Sequence, residues 1–276
     1  MADKVEIPEE HKAYSYSNGC KYDGMWRANR RHGQGVFTWP SGATYRGEFR
    51  SDRRNGSGII NYSDGSSYDG QWRNDQKEGF GTFSWPGGAK YIGDFRDDQM
   101  HGKGVFTWES NASYDGLWSH NKKNGLGKMV YKDGSTYEGQ WKDDRRHGEG
   151  RMLWTNGTRY EGEFIEDIRH GIGKYTWPNN CVYDGGWDNG KRSGTGKILY
   201  PDGSTYDGQF KNNLKDGVGV FKFSDGSTYS GQWKDDLKNG KGAFTWADGM
   251  KFVGEFSHGE SKSGLLTTKD GQKKEI

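Results

Sequence analysis

Tyr22–Gly35 reads YDGMWRANRRHGQG, a string that offers a glycine-rich loop, a histidine and a basic cluster. Twenty-three residues on, Tyr45–Gly58 reads YRGEFRSDRRNGSG, and Tyr68–Gly81 reads YDGQWRNDQKEGFG. The stretch is therefore one unit of a register. Tyr22, Tyr45, Tyr68, Tyr91, Tyr114, Tyr137, Tyr160, Tyr183, Tyr206 and Tyr229 keep that spacing, and Phe252 takes the next place. Counting each Tyr as position 0, Gly stands at position 2 and Trp or Phe at position 4 (Trp26, Phe49, Trp72, Phe95, Trp118, Trp141, Phe164, Trp187, Phe210, Trp233, Phe256). Glycines recur at positions 11 and 13, a bulky apolar residue at 15, and an aromatic at 17 (Trp39, Tyr62, Trp85, Trp108, Tyr131, Trp154, Trp177, Tyr200, Phe223, Trp246). Self-similarity at a fixed period outranks any local motif.

Composition alone points elsewhere. A hydrophobic fraction of 30% lies close to that of disordered chains, but an aromatic fraction of 15% at strict spacing reverses the reading. A net charge of +2 gives no general attraction to nucleic acid or to an acidic membrane. No apolar run is long enough to span a bilayer, and no signal-peptide core is visible. Cys20 and Cys181, both at position 21 and seven repeats apart, are too distant to pair if the repeats stack in a line, which suits a reducing, cytoplasmic compartment.

Parity sets the secondary structure. Residues 0, 2 and 4, and again 11, 13, 15 and 17, alternate with polar neighbours, the period of a strand. Between them lies an expected six-residue connection such as RANRRH (27–32). After position 17 comes a tight turn, PSGA or SDGS, whose Gly at position 20 supplies a positive φ; Asn111 and Asn180 stand in for it. Position 7 holds only Asn, Asp or Gly, again tolerant of the left-handed region. The expected fold is all-β, an elongated single-layer antiparallel meander of 23-residue hairpins. One face carries rings lying flat over glycines, and the other carries Asp, Glu, Gln, Lys, Arg and Thr. Two strands per repeat at about 4.8 Å each give a ribbon roughly 100 Å long. One repeat buries too little to fold alone, so stacking stabilises the array.

The ends divide into a charged N-terminal tail (1–12), the array (13–272, with a half repeat first and a degenerate cap last) and a frayed tail (273–276). The pattern Y-x-G-x-W/F, then G-x-G, then D-G before the next Tyr resembles the MORN repeat, the membrane occupation and recognition nexus motif. The resemblance covers about residues 13–272. It departs from the family at position 7, where Gly is usual and this sequence has Asn or Asp except at Gly190 and Gly259. It implies a β-meander used for scaffolding, dimerisation or docking. Stand-alone arrays of this kind are similar to parts of radial-spoke heads, other ciliary proteins and cytoskeletal collars. In other family members the array joins a catalytic domain, for which the repeats leave no room within this sequence.

Local motifs weigh less. The Gly33-Gln34-Gly35 type of string starts no helix and so lacks the dipole of a phosphate cradle. His32, His101, His147 and His170 share position 10, too far apart from repeat to repeat for one metal ion. No nucleophile–base grouping survives assignment to repeats, so no enzyme, metal or cofactor is expected. Two interaction surfaces remain. The aromatic face (Tyr22, Trp26, Trp39, Tyr45, Phe49, Tyr68, Trp72, Trp85, Trp108, Trp118, Trp141, Trp154, Trp177, Trp187, Trp233, Trp246) lacks a second layer and is expected to stay partly open for protein partners. Position 9 is basic at Arg31, Arg54, Lys77, Lys123, Arg146, Arg169, Arg192, Lys215 and Lys238, an expected anion-binding edge, though acids in the same loops screen it. The leading expectation is a scaffold in a cytoskeletal, ciliary or axonemal complex, with a homodimer through the end repeats and no nucleic acid. The alternative is a peripheral tether reading phosphoinositides through the basic edge.

Overall fold

The computed structural model describes residues 8–276, which form twenty-four strands and no helix. They divide into two compact units: residues up to Gly134 with Trp141–Asp144, and Ser135–Gln140 with Arg145–Ile276. Within each unit, consecutive strands pair antiparallel in one meander, as the alternation required. The first unit shows the rule. Strand β1 (Glu10–Ser15) pairs with β2 (Lys21–Arg27), β2 with β3 (Arg30–Thr38), β3 with β4 (Thr44–Arg50), and β4 with β5 (Arg53–Asn61). In the second unit the same register recurs, for example Tyr183↔Ile198 and Gly185↔Gly196.

Two kinds of turn alternate. After position 17 the chain makes a three-residue loop closed by Gly42 N–H to Trp39 C=O and Trp39 N–H to Ala43 C=O. Gly42 has φ +88°, and Asn111 and Asn180, the two substitutes, have φ +62° and +64°, so the positive-φ reading of position 20 holds in every copy named. The other connection differs from the expected six residues. It is a two-residue turn, positions 6 and 7, with both residues at positive φ: Ala28 and Asn29 (50° and 57°), Ser51 and Asp52 (49° and 69°). That is the type I′ hairpin, and positions 8–10 continue into the next strand. Position 6 was less legible than position 7 because Ala28, Ser51 and Glu166, residues without a left-handed preference, stand among its Asn, Asp and His residues.

Past each such turn the register slips. Gly24 faces Gly35 and Trp26 faces Arg31, so Met25 alone opposes His32, Gly33 and Gln34. This bulge is why position 11 is glycine: Gly33, Gly56 and Gly79 sit at φ +60°, +72° and +65°. At Glu48, Asp94, Glu163, Gln209 and Gln232 the position-3 side chain accepts the backbone N–H of position 12, as in Ser57 to Glu48 (3.1 Å) and Val218 to Gln209 (2.8 Å).

Both ends carry more strand than expected. Glu10–Ser15 pairs in full with Lys21–Trp26, so strand pairing reaches into the expected tail as far as Glu10; residues 1–7 of that tail lie outside those described. The expected frayed C-terminus is also paired: Lys273–Glu275 align on Leu265–Thr267, and Ile276 exchanges two backbone hydrogen bonds with Gly264. Backbone pairing needs no side-chain signature, which is why residues 10–12 and 273–275 were not legible as strand, whereas Tyr14 and Tyr16 marked the half repeat.

Candidate interaction surface

The rings of positions 0 and 4 build one ladder in each unit. Tyr22 lies edge-to-face on Trp26 (5.2 Å) and on Phe49 of the next repeat (5.2 Å); Tyr45 lies the same way on Phe49 (5.1 Å) and Trp72 (5.5 Å). In the second unit Tyr183 bridges Trp187 (5.3 Å) and Phe210 (5.1 Å), and Tyr206 bridges Phe210 and Trp233. Each such contact adds about 0.5–1.5 kcal/mol beyond area burial. Tyr hydroxyls donate to the position-3 carbonyl, as Tyr45 does to Glu48 (3.0 Å). Indole N–H groups reach back to the preceding repeat: Trp72 to the Gly58 carbonyl (2.9 Å), Trp187 to Gly173 (2.8 Å), Trp233 to Gly219 (3.1 Å).

This geometry corrects the expectation of an open aromatic face. Tyr45, Tyr68 and Tyr183 are fully buried, and Phe49, Trp72, Trp118, Trp141, Trp187 and Trp233 are buried too; of the expected contact residues at position 4 only Trp26 is half-exposed. The rings cover one another and the glycines beneath, so no second layer is needed. What stays accessible is the position-17 row. Trp39, Trp85, Trp108, Trp154 and Trp177 are half-buried, and Trp246 is 37% exposed. Trp39, Trp85, Trp108, Trp177 and Trp246 lean on the position-15 ring of their own strand, as Trp85 does on Phe83 (4.4 Å) and Trp177 on Tyr175 (4.6 Å).

The basic edge also takes another form. Position-9 cations fold over the ring ladder instead of projecting. Arg54 lies 4.2 Å from the Trp72 ring, Arg169 4.3 Å from Trp187, Lys123 4.4 Å from Trp141, and Lys215 4.7 Å from Trp233. Most are also held by the position-7 carboxylate of the next repeat. Asp52 takes the Arg31 backbone N–H (2.9 Å), and Asp75 takes both the Arg54 N–H (2.9 Å) and its Nε (3.0 Å). Asp98, Asp144, Asp167 and Asp236 accept the corresponding N–H of Lys77, Lys123, Arg146 and Lys215. In return the Asp N–H donates to the cation's own carbonyl, as Asp75 does to Arg54 (3.0 Å). Arg31, Arg54, Lys77, Arg146 and Lys215 therefore clasp neighbouring hairpins and neutralise most of the expected ladder. Sequence reading placed these acids in the same loops but could not assign the 21-residue partner. At Met100, where position 9 is not basic, the backbone N–H is accepted by uncharged Asn121.

The opposite face is less polar than expected. Phe80 and Leu126 in the first unit, and Ile172 and Val218 in the second, are about 60% exposed at position 12, in every second repeat. The 46-residue spacing was present in the sequence but hidden by the 23-residue period. Members of each pair stand about 19 Å apart at about 4.8 Å per strand, too dispersed to form a continuous patch.

Burial raises the tyrosine hydroxyls, above all Tyr45, Tyr68, Tyr91, Tyr160 and Tyr206, and takes Tyr22, Tyr183 and Tyr229 to about 12, mainly through lost hydration of the phenolate. The native state keeps these protons longer than the unfolded chain, whose tyrosines titrate near 10. Their contribution is complete below pH 10 and falls as pH rises toward the native values. Tyrosinate absorbance should therefore lag free tyrosine as pH rises past 10 and then rise cooperatively with unfolding. A smooth titration centred near 10 with the fold intact would contradict the buried ladder.

Cys20 and Cys181 are both free thiols. Among the described residues no group of three or more His, Cys, Asp or Glu is arranged to hold a metal ion, and no helix is long and apolar enough to cross a membrane.

The MORN repeat family model matches ten tandem segments of the chain, 22–44, 45–67, 68–90, 91–113, 114–136, 137–159, 160–182, 183–205, 206–228 and 229–251. No curated protein matches. Among solved structures, the Drosophila melanogaster SAS-4 (dCPAP) TCP domain, in complex with a proline-rich motif of Ana2, is similar at 22% identity; the match covers 55% of this chain and 83% of that one, with a TM-score of 0.36. The wild-type TCP10 domain of Danio rerio CPAP is similar at 13% identity over 73% of this chain and 94% of that one, with a TM-score of 0.40.

Proposed function

The chain belongs to the MORN-repeat family, and we propose that it is a non-enzymatic scaffold that docks protein partners on its aromatic side within a cytoskeletal assembly of the ciliary or axonemal kind. The observation that carries docking is the row of half-exposed position-17 rings. Trp85 and Trp108 in the first unit, and Trp154 and Trp177 in the second, offer apolar faces one repeat apart within each unit. The ciliary setting rests on the likeness to stand-alone arrays of that family. The strands Glu10–Ser15 and Lys273–Glu275 each pair on one side only among the described residues, and they are the surfaces through which two copies would join. A membrane tether has less support, since the cations it would use are drawn onto rings and carboxylates.

Detergent extraction of the tagged protein from its native cell tests this reading. The wild type should stay with the insoluble cytoskeletal fraction. Trp85→Ser, Trp108→Ser and Trp177→Ser together should release it while leaving its circular dichroism unchanged. Release of the wild type with the membrane lipids, or retention indifferent to those substitutions, would overturn it.

A further inference from the structure

At three places, all in the second unit, a position-9 cation lacks the carboxylate at the next position 7. Arg169 meets Gly190, Arg192 meets Asn213, and Lys238 meets Gly259. The backbone half of the clasp persists, with Gly190 N–H to Arg169 C=O at 2.9 Å and Asn213 N–H to Arg192 C=O at 3.0 Å. The carboxylate half does not. Arg169 donates only to the Gly190 carbonyl (3.0 Å), and Arg192 meets only the neutral side chain and the carbonyl of Asn213. The nearby Asp188 is engaged by Asn189 and lies 3.8 Å from His170. Two guanidinium groups in consecutive repeats thus lack the counter-charge that Asp52, Asp75 and Asp167 provide elsewhere. Both are half-buried on the ring face: Arg169 against Tyr175 and Trp187, Arg192 against Phe210 and 5.8 Å from half-exposed Trp177.

We infer that Arg169 and Arg192 form a recognition site for an acidic, extended peptide segment, whose carboxylates take the places that Asp fills in the other repeats. This inference rests on the docking reading above and names the chemistry of one partner. Equivalent side chains in consecutive repeats stand about 10 Å apart, two strands at about 4.8 Å, which matches acidic residues three apart in an extended chain of the polyproline II kind, where about 3.1 Å per residue and three residues per turn return every third side chain to one face. Partly desolvated guanidinium groups with a free donor edge favour carboxylates in paired hydrogen bonds. Trp177, 5.8 Å from the Arg192 guanidinium, supplies apolar contact for residues beside the carboxylate. A lipid surface fits less well, since a flat layer of headgroups would have to reach guanidinium groups half-buried against rings. Lys238 is a third cation of the same kind, separated from the pair by the Lys215–Asp236 clasp, and offers one isolated contact.

The test uses the full chain and a fluorescein-labelled peptide of Glu-Gly-Gly repeats, followed by anisotropy at low ionic strength. The wild type should bind it, and a Lys-Gly-Gly counterpart should not bind. Gly190→Asp with Asn213→Asp rebuilds the internal clasp without removing either arginine, and should weaken binding by about tenfold or more. The backbone accepts this change, because Asp52, Asp75 and Asp167 adopt φ of 69°, 73° and 71° at the same position, against 76° at Gly190. Arg169→Gln with Arg192→Gln should do the same. No binding by the wild type, or equal binding by the double-Asp variant, overturns the inference. So does tighter attachment to phosphatidylserine vesicles than to the peptide when that attachment is lost in the double-Asp variant. If these fail while the Trp variants still release the protein from the cytoskeletal fraction, docking stands and only the acidic chemistry falls.

Discussion

Gly58→Ala should destabilise the first unit by about 3 kcal/mol or more, although alanine is ordinarily the mildest of changes. Gly58 has no positive φ, so the backbone raises no objection. The cost is steric: a Cβ there would overlap the hydroxyl, Cζ and Cε2 of Tyr45. Tyr45 cannot yield, being fully buried and held edge-on between Phe49 and Trp72. Gly42→Ala is the instructive control. Nothing lies within 4 Å of a Cβ at Gly42, but its φ of +88° penalises a side chain by about 1–2 kcal/mol. Urea unfolding followed by tryptophan fluorescence should therefore rank Gly58→Ala well below Gly42→Ala. Equal losses would mean that the tyrosine rings do not lie on the glycine stripe.

Trp72→Ala should cost about 3–5 kcal/mol through the lost ring alone. Trp72 is 3% exposed, touches both Tyr45 and Tyr68, lies beneath Arg54, and donates to the Gly58 carbonyl, which would lose a partner. Trp72→Phe should cost far less, about 1 kcal/mol for the single hydrogen bond, since Phe49 and Phe95 fill the same position in the flanking repeats. Because each repeat is stabilised through its neighbours, the loss should spread to the adjoining strands. Hydrogen exchange would show Arg53–Asn61 and Gln76–Ser84 opening together with Ser67–Arg73 in the Ala variant. Opening confined to Ser67–Arg73 would show that the ladder does not couple the repeats.

The period, the strand parity, the glycine stripe and the positive φ at position 20 were all written in the sequence, down to Asn111 and Asn180 standing in for glycine. These are local properties: alternation fixes which side chains share a face, and φ preference fixes where the chain reverses. Residue type at a turn was informative only where the preference was strong, which is why Ala28 and Ser51 concealed a two-residue hairpin. The tertiary structure decided what the shared face does. Tyr22, Tyr45 and their equivalents read as contact residues in a list of exposed rings. They are core because each ring is flanked by position 4 of its own repeat and of the next. Arg54 read as part of an anion-binding edge, and it is a clasp because the sheet brings Asp75, 21 residues away, onto its N–H and Nε while Trp72 lies 4.2 Å beneath it. Arg169 and Arg192 are distinguishable from the other cations only through that pairing. A charge acquires its role from what the fold places beside it, and between repeats that neighbour is set by strand register and sheet geometry, which no single segment contains.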